Sequence, residues 1–295
     1  MSGNGEALTS IRIGFIGAGR LGSALAWSFK ERGLKVTAVG SLIKADAERL
    51  AEKIPGCAVV AMQEVADTTD LVFVTTPDEA IGATASALRW RPGVAAVHCS
   101  GVTEVSALSS AAQAGAQIGG FHPMQTFGDP MAAVRSLPGC TITIEADEPL
   151  LSTLVAITER LECRVNRLPP GMRGYYHAAA GYTSQFINAL FSEATRIWQS
   201  WGATEEEAVR ALLPLAKGTL SSIESAGIVN GMPGPVSRGD VGSIEKHVAS
   251  LSKMPLDVME FYRVVCDRTI DIGRKRGAID DEKAKRLRGI IAGKD

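Results

Sequence analysis

The chain has 295 residues, 45% of them hydrophobic and 21% charged, with a formal net charge of -1 at pH 7. This length suits two domains with a sizeable core. The balanced charge gives no reason to expect nucleic acid or an anionic membrane surface as a partner, and no apolar run is long enough to span a membrane. The five scattered cysteines include no Cys-x-x-Cys pair, which favours a reduced protein over a disulfide framework or a structural zinc site. Residues 1–10 are polar and lack the apolar segment of a signal peptide, so we expect a disordered tail on a cytoplasmic protein.

A strand, a glycine-rich turn and a helix open the first predicted domain. The apolar run 11–16 has the length of a buried strand, and a helical pattern covers 21–29. In the Gly-x-Gly-x-x-Gly sequence between them, the first glycine allows a tight turn, the second the close approach of a pyrophosphate, and the third close helix packing. The flanking elements favour a dinucleotide site with phosphates at the helix N-terminus over a turn that binds nothing. The predicted contacts are Gly17, Ala18, Gly19, Arg20, Leu21 and Gly22.

Strand and helix patterns alternate as far as residue 168. This alternation predicts an α/β fold with a Rossmann-type doubly wound parallel sheet and helices on both faces. We therefore expect an NADP-binding Rossmann domain over 11–168. Strands are predicted at 35–39, 57–61, 71–76, 94–98, 117–121, 141–145 and 163–168, and helices at 45–53, 80–88, 105–114 and 149–161.

The pattern changes at 168–171, and no convincing strand follows. We expect an all-α domain over 169–295 that serves substrate binding and dimerisation. Its predicted helices are 175–201, 205–225 with a kink or division at Pro214, 243–251, 255–276 and 280–291. Apolar residues lie on more than one face of the 175–201 helix, which predicts a homodimer through this domain. The alternative is that the other helices of the same chain cover those faces.

The segment after the second predicted strand bears on the choice of dinucleotide. An NAD site usually places Asp or Glu there to bind the ribose 2′-hydroxyl. This chain instead has Ser41, which can donate to a 2′-phosphate, and Lys44, which can supply positive charge. NADP is therefore the predicted cofactor, unless Lys44 is only a solvated surface lysine. At another strand end, Thr75, Thr76 and Pro77 either face the nicotinamide ribose or form a plain turn.

The histidines are the main candidates for proton transfer. His98 and His122 end predicted strands, where open parallel sheets bind ligands, and His177 opens a long helix. Histidine exchanges a proton near neutral pH, which carbonyl reduction requires together with hydride delivery. The alternative for each, and for His247, is a structural hydrogen bond. Their spacing fits neither HxxxH nor HxH, so we expect no metal.

Polar residues near these positions complete the candidate site. Ser100 follows the strand that ends at His98 and is expected to contact the cofactor and polarise a carbonyl oxygen. Arg238 could bind a substrate carboxylate through two hydrogen bonds, with Asp240 beside it. The alternative is that Arg238 and Asp240 only hold their loop.

Six motifs occur in the order found in a known family. They are Gly17-x-Gly-x-x-Gly22, Thr75-Thr-Pro-Asp78, His98-x-Ser-Gly101, Phe121-His-Pro-Met-Gln-Thr-Phe127, Tyr176-His-Ala-Ala-Ala180 and Gly234-Pro-Val-Ser-Arg-Gly-Asp240. Over about residues 11–277 the chain resembles the poorly characterised Rossmann-like NADP oxidoreductases whose C-terminal helical domain has no known function. It is similar in layout to pyrroline-5-carboxylate reductases, deazaflavin-dependent NADP reductases and 6-phosphogluconate/3-hydroxyacid dehydrogenases.

The resemblance implies roles for individual residues. A His-Pro-Met segment lies at the active site of prephenate and arogenate dehydrogenases, and a strand-end histidine is the acid/base of hydroxyacyl-CoA dehydrogenases. In both cases the corresponding residue of this chain is His122. Hydroxyacid dehydrogenases have a catalytic lysine near the start of the long helix, where this chain has His177. Gln125, within the His-Pro-Met segment, and Gln185, where relatives often have Asn, become candidate substrate contacts.

These observations predict an NADP(H)-dependent oxidoreductase. It would transfer hydride between nicotinamide and a small carbonyl or imine that carries a carboxylate, for example a keto acid such as ketopantoate. His122 or His177 would exchange the proton. The alternatives are a prephenate- or arogenate-type dehydrogenase and a non-catalytic NADP-binding sensor or scaffold.

Overall fold

The computed structural model describes residues 8–293 and divides into two compact units, Met1–Ser184 and Gln185–Asp295. The first unit contains an eight-stranded sheet in the order β3-β2-β1-β4-β5-β6-β7-β8. Its strands are β1 (Arg12–Ile16), β2 (Lys35–Gly40), β3 (Ala58–Val59), β4 (Leu71–Val74), β5 (Ala95–His98), β6 (Gln117–Pro123), β7 (Thr141–Ala146) and β8 (Arg164–Arg167).

Helices cover both faces of this sheet. One face packs the aromatic group Phe15, Phe29, Phe73 and Phe121, whose neighbouring rings lie 5.1–6.3 Å apart. The other face packs aliphatic residues from β1, β4 and β5. The helices are α1 (Arg20–Glu31), α2 (Lys44–Glu52), α3 (Met62–Thr68), α4 (Ile81–Ala87), α5 (Ser109–Gln113), α6 (Pro130–Ser136), α7 (Leu150–Arg160) and α8 (Arg173–Thr183), with 3-10 turns at Asp78–Ala80 and Val105–Leu108.

Strand direction confirms the predicted α/β class and corrects one detail of it. β1 to β6 are parallel to their neighbours, but β7 runs antiparallel to β6, and β8 runs parallel to β7. The prediction of a wholly parallel sheet was therefore wrong for β7 and β8. The connection from β6 to β7 contains only the short α6, which packs on α1, and an antiparallel neighbour needs no long crossover.

Over its described residues, 185–293, the second unit is all-α, as predicted. Its helices are α9 (Gln185–Gln199), α10 (Glu205–Asn230), α11 (Val241–Leu251), α12 (Leu256–Lys275) and α13 (Asp281–Ala292), with a 3-10 turn at Val236–Arg238. Helix starts carry the expected caps: Thr204 and Glu207 form a capping box on α10, and Asp280 caps α13. Within 8–293 no helix is long and apolar enough to cross a bilayer.

Two predicted helices of the C-terminal half differ from those observed. The single helix 175–201 is two helices, because Ser184 adopts φ -123° and ψ -90°. The Ser184 and Thr183 hydroxyls both donate to the Ala180 carbonyl and so compete with the backbone bonds that would continue the helix. α10 continues through Pro214, and its one non-helical residue is Gly227, with φ 75°.

The N-terminal segment and the boundary between the two domains differ from the prediction. Residues 8–10 are helical, and Leu8 is only 7% exposed because it packs on the sheet's core, so the expected disordered tail was wrong for these residues. Residues 1–7 of that tail lie outside the described part of the chain. The first compact unit ends at Ser184, beyond the predicted boundary at 168, and so includes α8. The assignment of cofactor and substrate roles to the two domains stays a prediction.

Candidate functional site

The carboxyl ends of five parallel strands meet at one edge of the sheet. β1, β2, β4, β5 and β6 run in the same direction. Most of the residues predicted to act on a ligand follow or end these strands, so the topology brings them to the same edge. Ligands of open α/β sheets bind at this edge.

The glycine turn after β1 has the geometry that its sequence predicts. Gly17 has φ +102°, and its N–H donates to the Gly40 carbonyl over 2.8 Å. A Cβ at Gly17 would lie 2.8 Å from the Thr75 backbone, and one at Gly22 would lie 2.6 Å from Thr75 Oγ1. A Cβ at Gly19 would have no neighbour within 4 Å. Gly17 and Gly22 are thus required by packing, whereas Gly19 borders open space.

Among the described residues, the N-terminus of α1 beside this space has no side-chain cap. Its first turn has no acidic residue. Arg20 and the partly exposed Leu21 begin the helix, and Ala18 is buried with its carbonyl bound by the Ser23 hydroxyl at 3.1 Å. Uncapped N–H groups and the helix dipole favour an anion. The turn therefore fits the pyrophosphate of a dinucleotide.

The segment after β2 adjoins the turn through the Gly17–Gly40 bond. Ser41 Oγ accepts the Ile43 N–H at 3.3 Å, and exposed Lys44 lies 3.2 Å from Glu48. Two apolar residues that we did not single out, Leu42 and Ile43, are 89% and 61% exposed. Consecutive exposed apolar side chains between two polar candidates form a surface that could pack on a flat base.

The three residues after β4 have different environments. The Thr75 N–H and hydroxyl donate to the Ile16 and Gly17 carbonyls, at 2.8 and 2.7 Å, so Thr75 ties β4 to the glycine turn. Thr76 Oγ1 is buried and has no partner among the described residues, and Pro77 is exposed. A buried hydroxyl without a partner usually indicates an absent water or ligand.

A histidine–tyrosine pair lies at the end of β6. His122 Nδ1 is 2.7 Å from the Tyr176 hydroxyl on α8. Burial, and then the charges of His177 and Arg173, lower the pKa of His122 to about 4, so the imidazole is neutral near pH 7. Burial raises the pKa of Tyr176, although a hydrogen bond from Thr143 opposes this shift. Thr143 in turn accepts a hydrogen bond from Asn166 on β8 at 3.0 Å.

Both candidate catalytic histidines lie against Gly101. A Cβ there would be 2.9 Å from His122 Nε2 and 2.8 Å from His177 Cδ2, and the two rings are 6.5 Å apart. His177 is exposed, whereas His122 is partly buried. Gly101 therefore leaves the space that both imidazoles border.

Ser100 and His98 mainly hold the loop that precedes this space. The Ser100 hydroxyl accepts the Thr103 N–H at 3.0 Å and donates to Thr103 Oγ1 at 2.9 Å. His98 is fully buried, its Nδ1 accepts the Ser100 N–H at 3.2 Å, and burial together with Arg173 lowers its pKa to about 3. The structural interpretation of His98 therefore has direct support. The roles of Ser100 toward cofactor and substrate stay predictions, and its hydroxyl would have to exchange a loop bond to act.

A buried ion pair, missed at the sequence level, supports the site. Arg173 is 0% exposed, and its Nε donates to Glu145 at 2.6 Å while Nη1 donates to the Ser100 carbonyl at 2.7 Å. Its Nη2 has no partner among the described residues and packs so closely on Gly120 that no Cβ fits there. No sequence signal marks Arg173, because an arginine at a helix start is ordinarily solvated.

The predicted substrate contacts are Gln125 in the first unit and three residues of the second unit. Gln125 is used locally, since its Nε2 donates to the Ser136 carbonyl at 3.1 Å and its Oε1 accepts the Thr126 N–H at 2.8 Å. Gln185 and Arg238 are exposed residues of the second unit. Asp240 caps α11 through Ser243, which supports the loop-holding alternative for that residue. Contact of any of these four residues with substrate stays a prediction. Within 8–293, no group of three or more His, Cys, Asp or Glu is placed to hold a metal.

Comparisons with known proteins agree with this architecture. Residues 3–123 match a Rossmann-like domain, and residues 140–269 match a domain of unknown function, DUF2520. No curated protein matches the sequence.

Three solved structures share the fold. A proposed NADP oxidoreductase from Bacteroides fragilis is 23% identical, with 88% of this chain and 98% of that chain covered and a TM-score of 0.68. A protein from Thermotoga maritima is also 23% identical, with 89% and 98% covered and a TM-score of 0.73. Pyrroline carboxylate reductase from Plasmodium falciparum, solved with NADP bound, is 12% identical, with 90% and 99% covered and a TM-score of 0.59.

At these identities the similarity establishes the fold alone. The order of the domains is the one that the six sequence motifs imply. The chain thus matches a Rossmann-like domain followed by a domain of unknown function, DUF2520.

Proposed function

We propose that this protein is an NADP(H)-dependent oxidoreductase that acts on a small carbonyl or imine. One observation carries the proposal: the open glycine turn and the His122–Tyr176 pair lie at the same carboxyl edge of one sheet. The first suits a dinucleotide and the second suits proton exchange. The Bacteroides and Plasmodium proteins of the same fold, described as an NADP oxidoreductase and a pyrroline carboxylate reductase, support it.

The cofactor would be held by the glycine turn and by the segments that follow β2 and β4. The N–H groups at the start of α1 would bind the pyrophosphate, and Ser41 with Lys44 would bind the 2′-phosphate. Leu42 and Ile43 would pack on the adenine, and Thr76 Oγ1 would gain the hydrogen bond that it lacks. When bound, NADPH supplies the hydride.

The chain's own contribution to the chemistry is a proton held at His122. His122 Nδ1 lies 2.7 Å from the Tyr176 hydroxyl, and when that hydroxyl donates to Nδ1 the neutral imidazole carries its own hydrogen on Nε2. His122 Nε2 faces the gap at Gly101. Nε2–H would protonate the substrate oxygen or nitrogen while the Tyr176 proton moves to Nδ1, and the tyrosinate that forms would then take up a proton from water. His177, exposed on the same gap, is the alternative donor.

The substrate class follows from the charges at this gap. The lowered pKa of His122 keeps it neutral, and His177 is exposed to solvent. Arg173 is already paired with Glu145. The space therefore suits the uncharged end of a substrate, a ketone or imine carbon. If the substrate also carries a carboxylate, Arg238 is the candidate to bind it.

Cofactor preference tests the first half of the proposal. We expect NADPH to bind more tightly than NADH, and Ser41→Asp to remove or reverse the preference, because an added carboxylate repels the 2′-phosphate. Titration of both nucleotides by protein fluorescence measures this. Ser109→Asp, at the exposed serine that begins α5, is a control for added charge and should keep the preference. Equal or tighter binding of NADH by the wild type would refute the prediction.

We further propose a homodimer formed by the helical unit. Helix α10 exposes large apolar side chains along its length, among them Leu215 at 65%, and such a surface usually indicates a protein interface. Light scattering at micromolar concentration should give twice the chain mass. Leu215→Glu should yield monomers, whereas Leu256→Glu, at an exposed leucine on α12, should not. A monomeric wild type would contradict the proposal.

A further inference from the structure

Two cysteines from distant parts of the chain lie side by side on neighbouring strands. Cys140 directly precedes β7 and Cys163 directly precedes β8. The strands pair in parallel with Thr141 opposite Arg164, and the Arg164 N–H donates to the Cys140 carbonyl at 2.8 Å. The two sulfur atoms are 3.8 Å apart. Neighbouring strands are about 4.8 Å apart, which is within the range of Cα separations that disulfides span.

The other three cysteines have no such arrangement. Cys99 and Cys266 are buried, and Cys57 is partly exposed, with burial raising its pKa to about 11. Cys140 and Cys163 are both partly exposed and lie at the border of the core. Both thiols are free in the structure, and neither contributes to the site at the carboxyl edge.

The surroundings of the pair favour loss of a proton from Cys163. The hydrogen bond from Cys140 lowers the pKa of Cys163, and Arg32 adds to this shift, whereas burial and Glu162 oppose it; the same hydrogen bond raises the pKa of Cys140. The thiolate is the reactive form of cysteine. Cys163 is therefore the attacking sulfur and Cys140 the resolving one.

We propose that Cys140 and Cys163 are an oxidisable pair that closes to a disulfide when a peroxide reaches it. The Cys163 thiolate attacks one oxygen of hydrogen peroxide, the O–O bond breaks, and a sulfenic acid and one water form. Cys140 then attacks the sulfenic sulfur, the S–S bond forms, and the oxygen leaves as a second water. The two sulfurs lose two electrons and two protons in total, and the peroxide is reduced to two waters. A thiol reductant reverses the step.

This inference does not depend on the proposed function, and its test does not use activity. The reduced full-length protein is treated with a small excess of hydrogen peroxide, denatured, alkylated and weighed by mass spectrometry. We expect three alkylated cysteines where the untreated protein has five, a loss of two hydrogens, and one peptide cross-link that joins Cys140 to Cys163. Dithiothreitol should restore all five thiols.

Cysteine variants distinguish disulfide formation at this pair from unspecific oxidation of any cysteine. Cys140→Ser should lose the cross-link and accumulate sulfenic or sulfinic acid at Cys163, whereas the matched control Cys57→Ser should keep the cross-link. Circular dichroism checks that each variant is folded. The peptide map of the wild type tests the proposal even if a variant fails to fold. The proposal is overturned if the treated wild type keeps five thiols, if it carries only sulfinic acid, or if a different pair is linked.

Discussion

His122→Ala is expected to lower turnover by about 10²–10⁴, the range for loss of an acid/base group, with little change in NADPH affinity. The imidazole is within 2.7 Å of Tyr176 and borders the gap at Gly101, but it is not part of the glycine turn. Because burial and neighbouring charges lower the pKa of His122 to about 4, its neutral form persists through the physiological range. We expect His177→Ala to have an effect in the same range if His177 is the donor.

The matched control is His247→Ala. His247 also bonds a tyrosine, Tyr262, at 3.0 Å, but neither side chain is among the groups nearest to Gly101. It should keep both turnover and affinity. Tyr176→Phe distinguishes a relay from direct donation, because it removes the proton that resupplies Nδ1 but leaves the imidazole in place. Wild-type turnover in both His122→Ala and His177→Ala would show that the acid/base assignment is wrong.

Arg173→Met is expected to lower the free energy of unfolding by about 3–5 kcal/mol, the usual effect of removing one partner of a buried ion pair. Glu145 would stay in a largely buried place without its cation, and the Ser100 carbonyl would lose its donor. Urea unfolding measures the change. Loss of the nearby positive charge should also raise the pKa of His122 and His98, which a histidine NMR titration detects.

Arg12→Met is the control for loss of an arginine ion pair. Arg12 binds Asp70 at 2.7 Å, but both side chains are substantially exposed, so the expected loss is at most about 1 kcal/mol. An equal loss of unfolding free energy in the two variants would show that burial of Arg173 does not increase the cost of removing its ion pair. A double variant, Arg173→Met with Glu145→Leu, should recover part of the stability because no unpaired charge remains.

The fold could be predicted from the sequence wherever the local residue pattern determines the structure. Gly17 and Gly22 have packing roles set within a few residues of their own turn and one neighbouring strand, so the motif was informative. The reversed direction of β7 depends on which connection fits beside β6, and no local pattern in 141–146 encodes that choice. The break at Ser184 likewise follows from side-chain hydroxyls competing for the Ala180 carbonyl, which apolar periodicity does not reveal.

The candidate site was predictable only in part for a related reason. His122 was recognisable from its strand end and its motif, but its partner Tyr176 comes from α8, 54 residues away in sequence. Arg173 appeared to be an ordinary helix-start arginine, and only the tertiary structure buries it. Ser100 was chosen for its position, but the turn that it caps uses its hydroxyl.

Hydride transfer itself is the most direct test of the proposed function. The protein is mixed with NADPH deuterated at the transferable position of the nicotinamide and with a panel of small keto acids, ketones and cyclic imines. The fall in NADPH absorbance is followed, and products are analysed by mass spectrometry. We predict that at least one imine or ketone yields a product with one deuterium at the reduced carbon, and that His122→Ala slows its formation. Tight NADPH binding with no oxidation by any member of the panel would contradict an oxidoreductase and favour a non-catalytic sensor.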